Sequence, residues 1–302
     1  MGSLLETLPQ GGRVAIIRLR SLGDCVLTTP AIQLLKRFRP DLEVSIVVED
    51  RFRDIFEGNP DIARILPPDL GRLRRARPQL CLNFHGGTRS AWMTALSGAR
   101  FRAGFGHFRW QFGYNRRIPR AQEILGIDRK VHTAEHLASA MFWLGVPIEE
   151  VPRARLVTKP DTGRNACATI HPVAATAAKT WHAEGFLEIA RHLQAGGAEV
   201  VFIGGPADDL SPFREFRTLS AAPLGEVKSL LASASIFIGN DSGPAHMAAA
   251  FGVPSVVIFG DSDPAIWGPW RTPAEVISAP TGIAGIRVEQ VLDALTRLRV
   301  HA

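Results

Sequence analysis

"FIGNDSGPAHMAAAFGVPSVVIFG", residues 237–260, changes its hydrophobic period twice. Phe237-Ile238-Gly239 reads as the end of a buried strand. Asn240 to Pro244 is turn and helix-capping chemistry, and Ala245 to Phe251 is a short Ala-rich helix. Gly252 stops that helix, and Val256 to Phe259 begins a second apolar strand. Strand, helix and strand in that order, without polar alternation in either strand, predict a unit of a parallel sheet covered on both faces.

The alternation continues outward. "RVAIIRL" (13–19), "EVSIVV" (43–48), "ARIL" (63–66) and "QLCLNF" (79–84) predict strands, with helices over Val26–Arg37, Thr88–Ser97 and Thr133–Leu144. In the second half "CATI" (167–170), "EVVFIG" (199–204), "SIFIG" (235–239), "SVVIFG" (255–260) and "AEVI" (274–277) predict strands, with helices at 184–195, 226–233, 244–251 and 287–299. The chain's 302 residues exceed the usual size of one core. The fold class is therefore α/β, with Rossmann-like domains over 1–155 and 156–302 joined through "VPRARLVTKPDTGRN" (151–165). Two such sheets are expected to face each other across a cleft, with ligands beyond the carboxyl ends of the strands.

Hydrophobic residues make up 46% and charged residues 21%, as in ordinary soluble globular proteins. No apolar run is long enough to span a membrane, and "MGSLLETLPQGG" lacks the basic and apolar regions of a signal peptide. Cys25, Cys81 and Cys167 are odd in number and scattered, which fits a reducing, cytoplasmic location. The net charge of +6 is uneven: residues 1–155 carry 24 Lys+Arg against 15 Asp+Glu, and residues 156–302 carry 11 against 14. A solvated basic face explains this as readily as an anionic partner does. No nucleic acid is expected as a partner.

Polar residues at strand ends carry the candidate chemistry. In "RSLGDCVLTTPAIQLL" (20–35), Ser21, Gly23 and Asp24 form a turn at the end of the first strand. Asp24 is an N-cap or a catalytic carboxylate. Ser242 and Gly243 start a helix whose free N–H groups and dipole suit an anion, with Pro244 in its first turn. Asp241 and His246 would flank that anion; a carboxylate sits poorly against phosphate, so Asp241 is expected to face hydroxyls or His246. Lys179, in the loop after "CATI", would neutralise a leaving diphosphate. "FIGGPADD" (202–209) repeats the geometry, with Asp208 among acids entering a helix. The glycine fingerprint of dinucleotide-binding enzymes is absent, as are the P-loop, H-E-x-x-H and G-x-S-x-G motifs. His85, His107, His132 and His136 are too dispersed in sequence to define a metal site.

The chain resembles the heptosyltransferase family, glycosyltransferase family 9. The likeness rests on "SLGDCVLTTPAIQLLK", "GNPDIARIL", "HGGTRSAWMTALSGARFRAGF", "HTAEHLASAMFWLGVP", "KTWHAEGFLEIARHL", "VVFIGGPADD" and "FIGNDSGPAHMAAAFGVPSVVIFGDSDPAIWGPW". It implies the GT-B architecture and an inverting transfer, without metal or cofactor, of heptose from ADP-heptose to an anionic lipid A–inner core acceptor. It further implies Asp24, after Gly23, as general base, and Asp241, Ser242, Gly243 and His246 around the donor's diphosphate and sugar. Lys179 falls at the phosphates and Asp208 at the ribose. Peripheral contact with the inner membrane surface follows from such an acceptor. The chain departs from the family pattern at "SAAPLGEVKSLL", which is shortened and lacks a threonine. Alternatives are a GT-B transferase for another nucleotide sugar and a non-catalytic nucleotide-sugar-binding relative. An NAD oxidoreductase is a more distant one.

Overall fold

A computed structural model describes residues 3–158 and 167–298. The chain divides into two compact units, 1–157 and 158–302. Of the linker expected at 151–165, residues 159–165 lie outside the described residues, as does the expected helix end at 299. Residues up to Val157 stay with the first unit: Arg155 N–H donates to Thr29 Oγ1 at 2.8 Å, and the Arg155 guanidinium pairs with Asp61 at 2.9 Å.

The first unit holds six strands: β1 (Arg13–Ile17), β2 (Glu43–Val47), β3 (Arg64–Leu66), β4 (Leu80–Asn83), β5 (Phe101–Phe105) and β6 (Arg116–Ile118). All are parallel, in the order β3-β2-β1-β4-β5-β6. Its helices are α1 (Leu22–Phe38), α2 (Leu70–Arg75), α3 (Thr88–Ala95), α4 (Ala121–Leu125) and α5 (Thr133–Leu144). Ile17, Val47 and Cys81 pack with Leu73 of α2 and Met93 of α3. Helix α1 is longer than expected because it starts at Leu22 and tolerates Pro30 in its interior. Pro30 offers no N–H to the Val26 carbonyl, and the Thr29 hydroxyl takes that carbonyl instead at 2.8 Å.

The second unit repeats the plan with β7 (Cys167–His171), β8 (Glu199–Gly204), β9 (Arg217–Ser220), β10 (Ile236–Asn240), β11 (Ser255–Ile258) and β12 (Ala274–Ile277). These too are parallel, in the order β12-β11-β10-β7-β8-β9. Its helices are α6 (Ala183–Ala195), α7 (Leu224–Ser233), α8 (Gly243–Ala250), α9 (Pro264–Trp267) and α10 (Val288–Arg297). Ile170, Phe202, Ile238 and Val256 form a core with Trp181, Phe186 and Val291.

Three strands carry no apolar run in sequence. β6 and β9 are edge strands, mostly exposed and written "RRI" and "RTLS". β5, "FRAGF", is interrupted by Gly104, where an added Cβ would collide with the Tyr114 ring. The acids of "FIGGPADD" enter only a single 3₁₀ turn, Ser211–Phe213, because the chain must return at once to β9. In each unit the strand order reverses beside the first strand, between β1 and β4 and between β7 and β10. Ligands of such sheets bind at that reversal, beyond the carboxyl ends of the strands.

Candidate active site

At the reversal of the first sheet, β1 leads through Arg18 into the start of α1. Asp24 is not the N-cap. Ser21 holds that position, and Asp24 is the third helical residue. Its Oδ2 accepts from Ser21 N at 3.4 Å and from Ser21 Oγ at 3.0 Å, a reciprocal capping arrangement that fixes the carboxylate. Its Oδ1 lies 3.3 Å from a terminal guanidinium nitrogen of Arg18. The Arg18 side chain is 7% exposed and that of Asp24 23%. Burial lowers the pKa of Arg18, and the Asp24 charge opposes the shift. Arg18 Nε has no hydrogen-bond partner. Burial also pushes the Cys25 thiol up, which leaves it unreactive.

Beside it, β4 ends in a turn built by buried Asn83, whose Oδ1 accepts from His85 N and Gly86 N, both at 3.0 Å. Gly86 adopts φ +73° with the Phe108 ring against it, leaving no room for a side chain. Burial and the nearby Arg18 charge lower the His85 pKa. The four histidines dispersed in sequence are partly gathered by the fold. His107 and His136 have ring centroids 5.2 Å apart, and His136 stacks on Phe105 at 4.1 Å. Burial, His107 and Arg18 push the His136 pKa down to about 4. His132 instead caps α5, its Nδ1 accepting from Ala134 N at 3.1 Å. Among the described residues no group of His, Cys, Asp or Glu is placed to hold a metal ion. A cavity of about 350 Å³ opens at the end of β6, lined by His107, Arg117, Arg120 and Glu123.

At the reversal of the second sheet, the fold assembles residues far apart in sequence. Buried Asn240, at the end of β10, accepts from Trp181 N at 3.0 Å and donates to the Pro172 carbonyl at 2.8 Å. This ties the loop after β7 to the end of β10. Gly260 lets the 177–179 turn press in, since a Cβ there would collide with the Ala178 carbonyl. Lys179 Nζ is thereby held 3.1 Å from Asp241 Oδ2. Ser262 Oγ donates to the same oxygen at 2.5 Å. Asp241 thus faces a hydroxyl of the chain itself and a lysine, because the close approach at Gly260 brings both to it.

Ser242 is the N-cap of α8, yet its side chain makes no capping bond. It turns instead to His171, whose Nδ1 lies 3.0 Å from Ser242 Oγ. Ser242 Oγ therefore does not cap the N–H groups at the start of α8, an arrangement suited to an anion. His171 is buried, and desolvation pushes its pKa down to about 4 against the pull of Asp208. Asp208 lies at the neighbouring strand end, its Oδ2 accepting from Gly205 N at 2.7 Å. His246 is buried in α8, its ring 6.4 Å from that of Trp267. Arg18, His171, Asn240 and Ser262 were not singled out from sequence. Of these, only Arg18 carried a signal, an arginine inside an apolar strand six residues before Asp24.

Two parallel Rossmann-like sheets, each with polar residues gathered at its reversal, are the plan of the GT-B glycosyltransferases. The sequence model of glycosyltransferase family 9 (heptosyltransferase) matches residues 71–290. Lipopolysaccharide heptosyltransferase 3 of Escherichia coli is 27% identical over 289 residues, covering 83% of this chain and 84% of that protein. The crystal structure of the family 9 glycosyl transferase from Veillonella parvula DSM 2008 superposes with a TM-score of 0.84 at 22% identity, covering 96% of this chain and 98% of that one. The E. coli heptosyltransferase WaaC with ADP gives 0.78 at 19% identity, covering 95% and 99%. The chain belongs to glycosyltransferase family 9, the heptosyltransferases.

Proposed function

We propose that the protein transfers heptose from ADP-heptose to a lipopolysaccharide core acceptor, with inversion at the anomeric carbon and without a metal ion. The observation that carries the reading is the start of α8: Ser242 turned away to His171, Lys179 beside it, and backbone N–H groups left for an anion. The similar WaaC was crystallised with ADP, and the similar Escherichia coli protein is a lipopolysaccharide heptosyltransferase.

In this mechanism Asp24 takes the proton from the acceptor hydroxyl as that oxygen attacks the anomeric carbon. The bond to the diphosphate breaks through an oxocarbenium-like transition state, and ADP leaves. Charge growing on the diphosphate meets the α8 N–H groups and Lys179, which supply the stabilisation a divalent cation gives elsewhere. Asp241 and Ser262 hold the Lys179 ammonium in place, Asp208 takes the ribose, and His246 borders the donor sugar. In the first unit, Arg117 and Arg120 around the cavity at β6 take anionic groups of the acceptor. The reaction is placed at the cytoplasmic face of the inner membrane.

Thermal-shift measurements against ADP-, GDP- and UDP-sugars, followed by turnover with the best binder, test this. A ligand at about 100 times its dissociation constant adds about 2.7 kcal/mol of stability. A shift with ADP-heptose and release of ADP with acceptor is expected. A shift with another nucleotide sugar alone overturns the donor, and binding without turnover overturns the reaction.

A further inference from the structure

Among the described residues three large hydrophobic side chains lie together and strongly exposed in the first unit: Trp92 at 53%, Leu96 at 47% and Phe112 at 52%. Trp92 sits on α3, and Leu96 follows four residues later on the same face, with Arg89 three residues before. Phe112 comes from the loop between β5 and β6 and tilts onto Trp92 with ring centroids 4.7 Å apart. The loop is clamped to α3 at Gly113, where a Cβ would lie 2.7 Å from the Ala91 carbonyl. Three large apolar groups are thus held outward on a fixed support rather than on a loose loop.

The segment that carries this face has charge of one sign. Residues 70–122 contain eleven arginines and neither aspartate nor glutamate. Arg109 lies over Trp110 at 5.0 Å, and Arg100 and Arg116 lie over Phe101 at 5.0 and 5.4 Å. Their guanidinium groups rest on the aromatic rings, which holds positive charge beside apolar surface. Aromatic and leucine side chains surrounded by arginine match the boundary of a bilayer, where rings enter the head-group level and arginines pair with lipid phosphates. A nucleic acid would use the charge and the rings, but it has no use for Leu96 beside them.

We propose that the face formed by Trp92, Leu96 and Phe112, with Arg89, Arg109 and Arg116 of the same basic segment, docks the protein on an anionic lipid bilayer. The proposal rests on the reading above of an acceptor that resides in a membrane. The face lies on the β4–β5 side of the first sheet, where α3 runs back from the end of β4 toward the start of β5.

Flotation of the full chain with vesicles of phosphatidylcholine, with and without phosphatidylglycerol, tests it. The wild-type protein is expected to float with the anionic vesicles, to remain behind with neutral ones, and to lose binding as salt rises. Arg109→Glu and Arg116→Glu should each lower the partition coefficient about fivefold or more. Trp92→Ser combined with Phe112→Ser should abolish flotation at an unchanged melting temperature. Should that variant fold poorly, brominated lipid replaces it: quenching of wild-type tryptophan fluorescence supports insertion, and none overturns it. Equal binding to neutral vesicles or no flotation of the wild type overturns the proposal. So does a dimer in solution, or binding to RNA, that the aromatic variant abolishes while flotation persists. Turnover on an acyl-free soluble acceptor separates the two readings. Wild-type rates in the aromatic variant place the pair at the membrane, and lost rates place it in the acceptor site. A wild-type protein that floats but never transfers overturns the function and leaves the docking face standing.

Discussion

The guanidinium of Arg18 is buried and has one carboxylate, Asp24, 3.3 Å away. Because Ser21 grips the other oxygen of Asp24, the carboxylate is fixed from both sides. Asp24→Asn should lower turnover about 10²–10⁴-fold while the dissociation constant for the donor stays unchanged. It should also lower stability by about 2 kcal/mol, since it leaves the Arg18 charge buried without a counter-ion. Steady-state kinetics alongside urea unfolding checks both. Near-normal turnover would make Asp24 only a structural cap.

Lys179 is held by Asp241, so its loss should be felt at the donor alone. Lys179→Ala should raise the KM for the nucleotide sugar about ten- to a hundredfold, the value of a charge-assisted hydrogen bond. The acceptor's KM should hardly move. Equal loss for both substrates would instead report damage to the fold.

On the proposed mechanism activity should survive excess EDTA, because Lys179 and the N–H groups of α8 would supply the positive charge at the diphosphate. Loss of activity that Mg²⁺ or Mn²⁺ restores would overturn metal independence.

His171 is buried with its pKa pushed down to about 4. An unfolded imidazole titrates near 6.5, so between these values the unfolded chain binds the proton and the folded one does not. The stability from neutral His171 is fully present above about pH 6.5 and is lost as pH falls toward about 4. The loss is on the order of 3 kcal/mol. Melting temperature measured across this range should fall on the acid side, and His171→Asn should flatten part of that fall. His136, depressed in the same direction, should retain the rest. An identical acid limb in the variant would show that His171 protonates freely.

The parts of the site legible in sequence are those where strand, turn and helix follow one another, as in 237–260 and 13–38. There the period of the apolar residues and the capping residues give the element order and the end of the sheet at which Asp24 and Ser242 must lie. The partnership of Lys179 with Asp241 was not legible, because 62 residues separate them and only the adjacency of β7 and β10 joins them. Edge strands β6 and β9 were hidden because exposed strands need no apolar run. The sequence puts Asp24 in the turn before the helix; in the structure the cap belongs to Ser21, which is marked in sequence only by its spacing to the acid.

The basic excess of the first unit is the last feature to sort. Arg51, Arg53, Arg117 and Arg120 all contribute to it, but the structure treats them differently. Arg51 pairs with Glu49 at 2.8 Å and Arg53 with Glu57 at 2.9 Å. Arg117 and Arg120 instead line the cavity at the end of β6, within the stretch that has no acid until Glu123. Reversing Arg117 and Arg120 to Glu should therefore raise the acceptor's KM at least tenfold, with each lost charged contact costing about 1.5 kcal/mol or more. Reversing Arg51 and Arg53 should do much less, since their charge is already met by acids. Salt screens such contacts beyond about 8 Å at physiological strength, so raising it should increase the acceptor's KM more than the donor's. Kinetics with a truncated, soluble acceptor that keeps its phosphates isolates this effect from lipid binding. If both arginine pairs respond alike, or a neutral acceptor serves equally well, the arginines at β6 are only a solvated face.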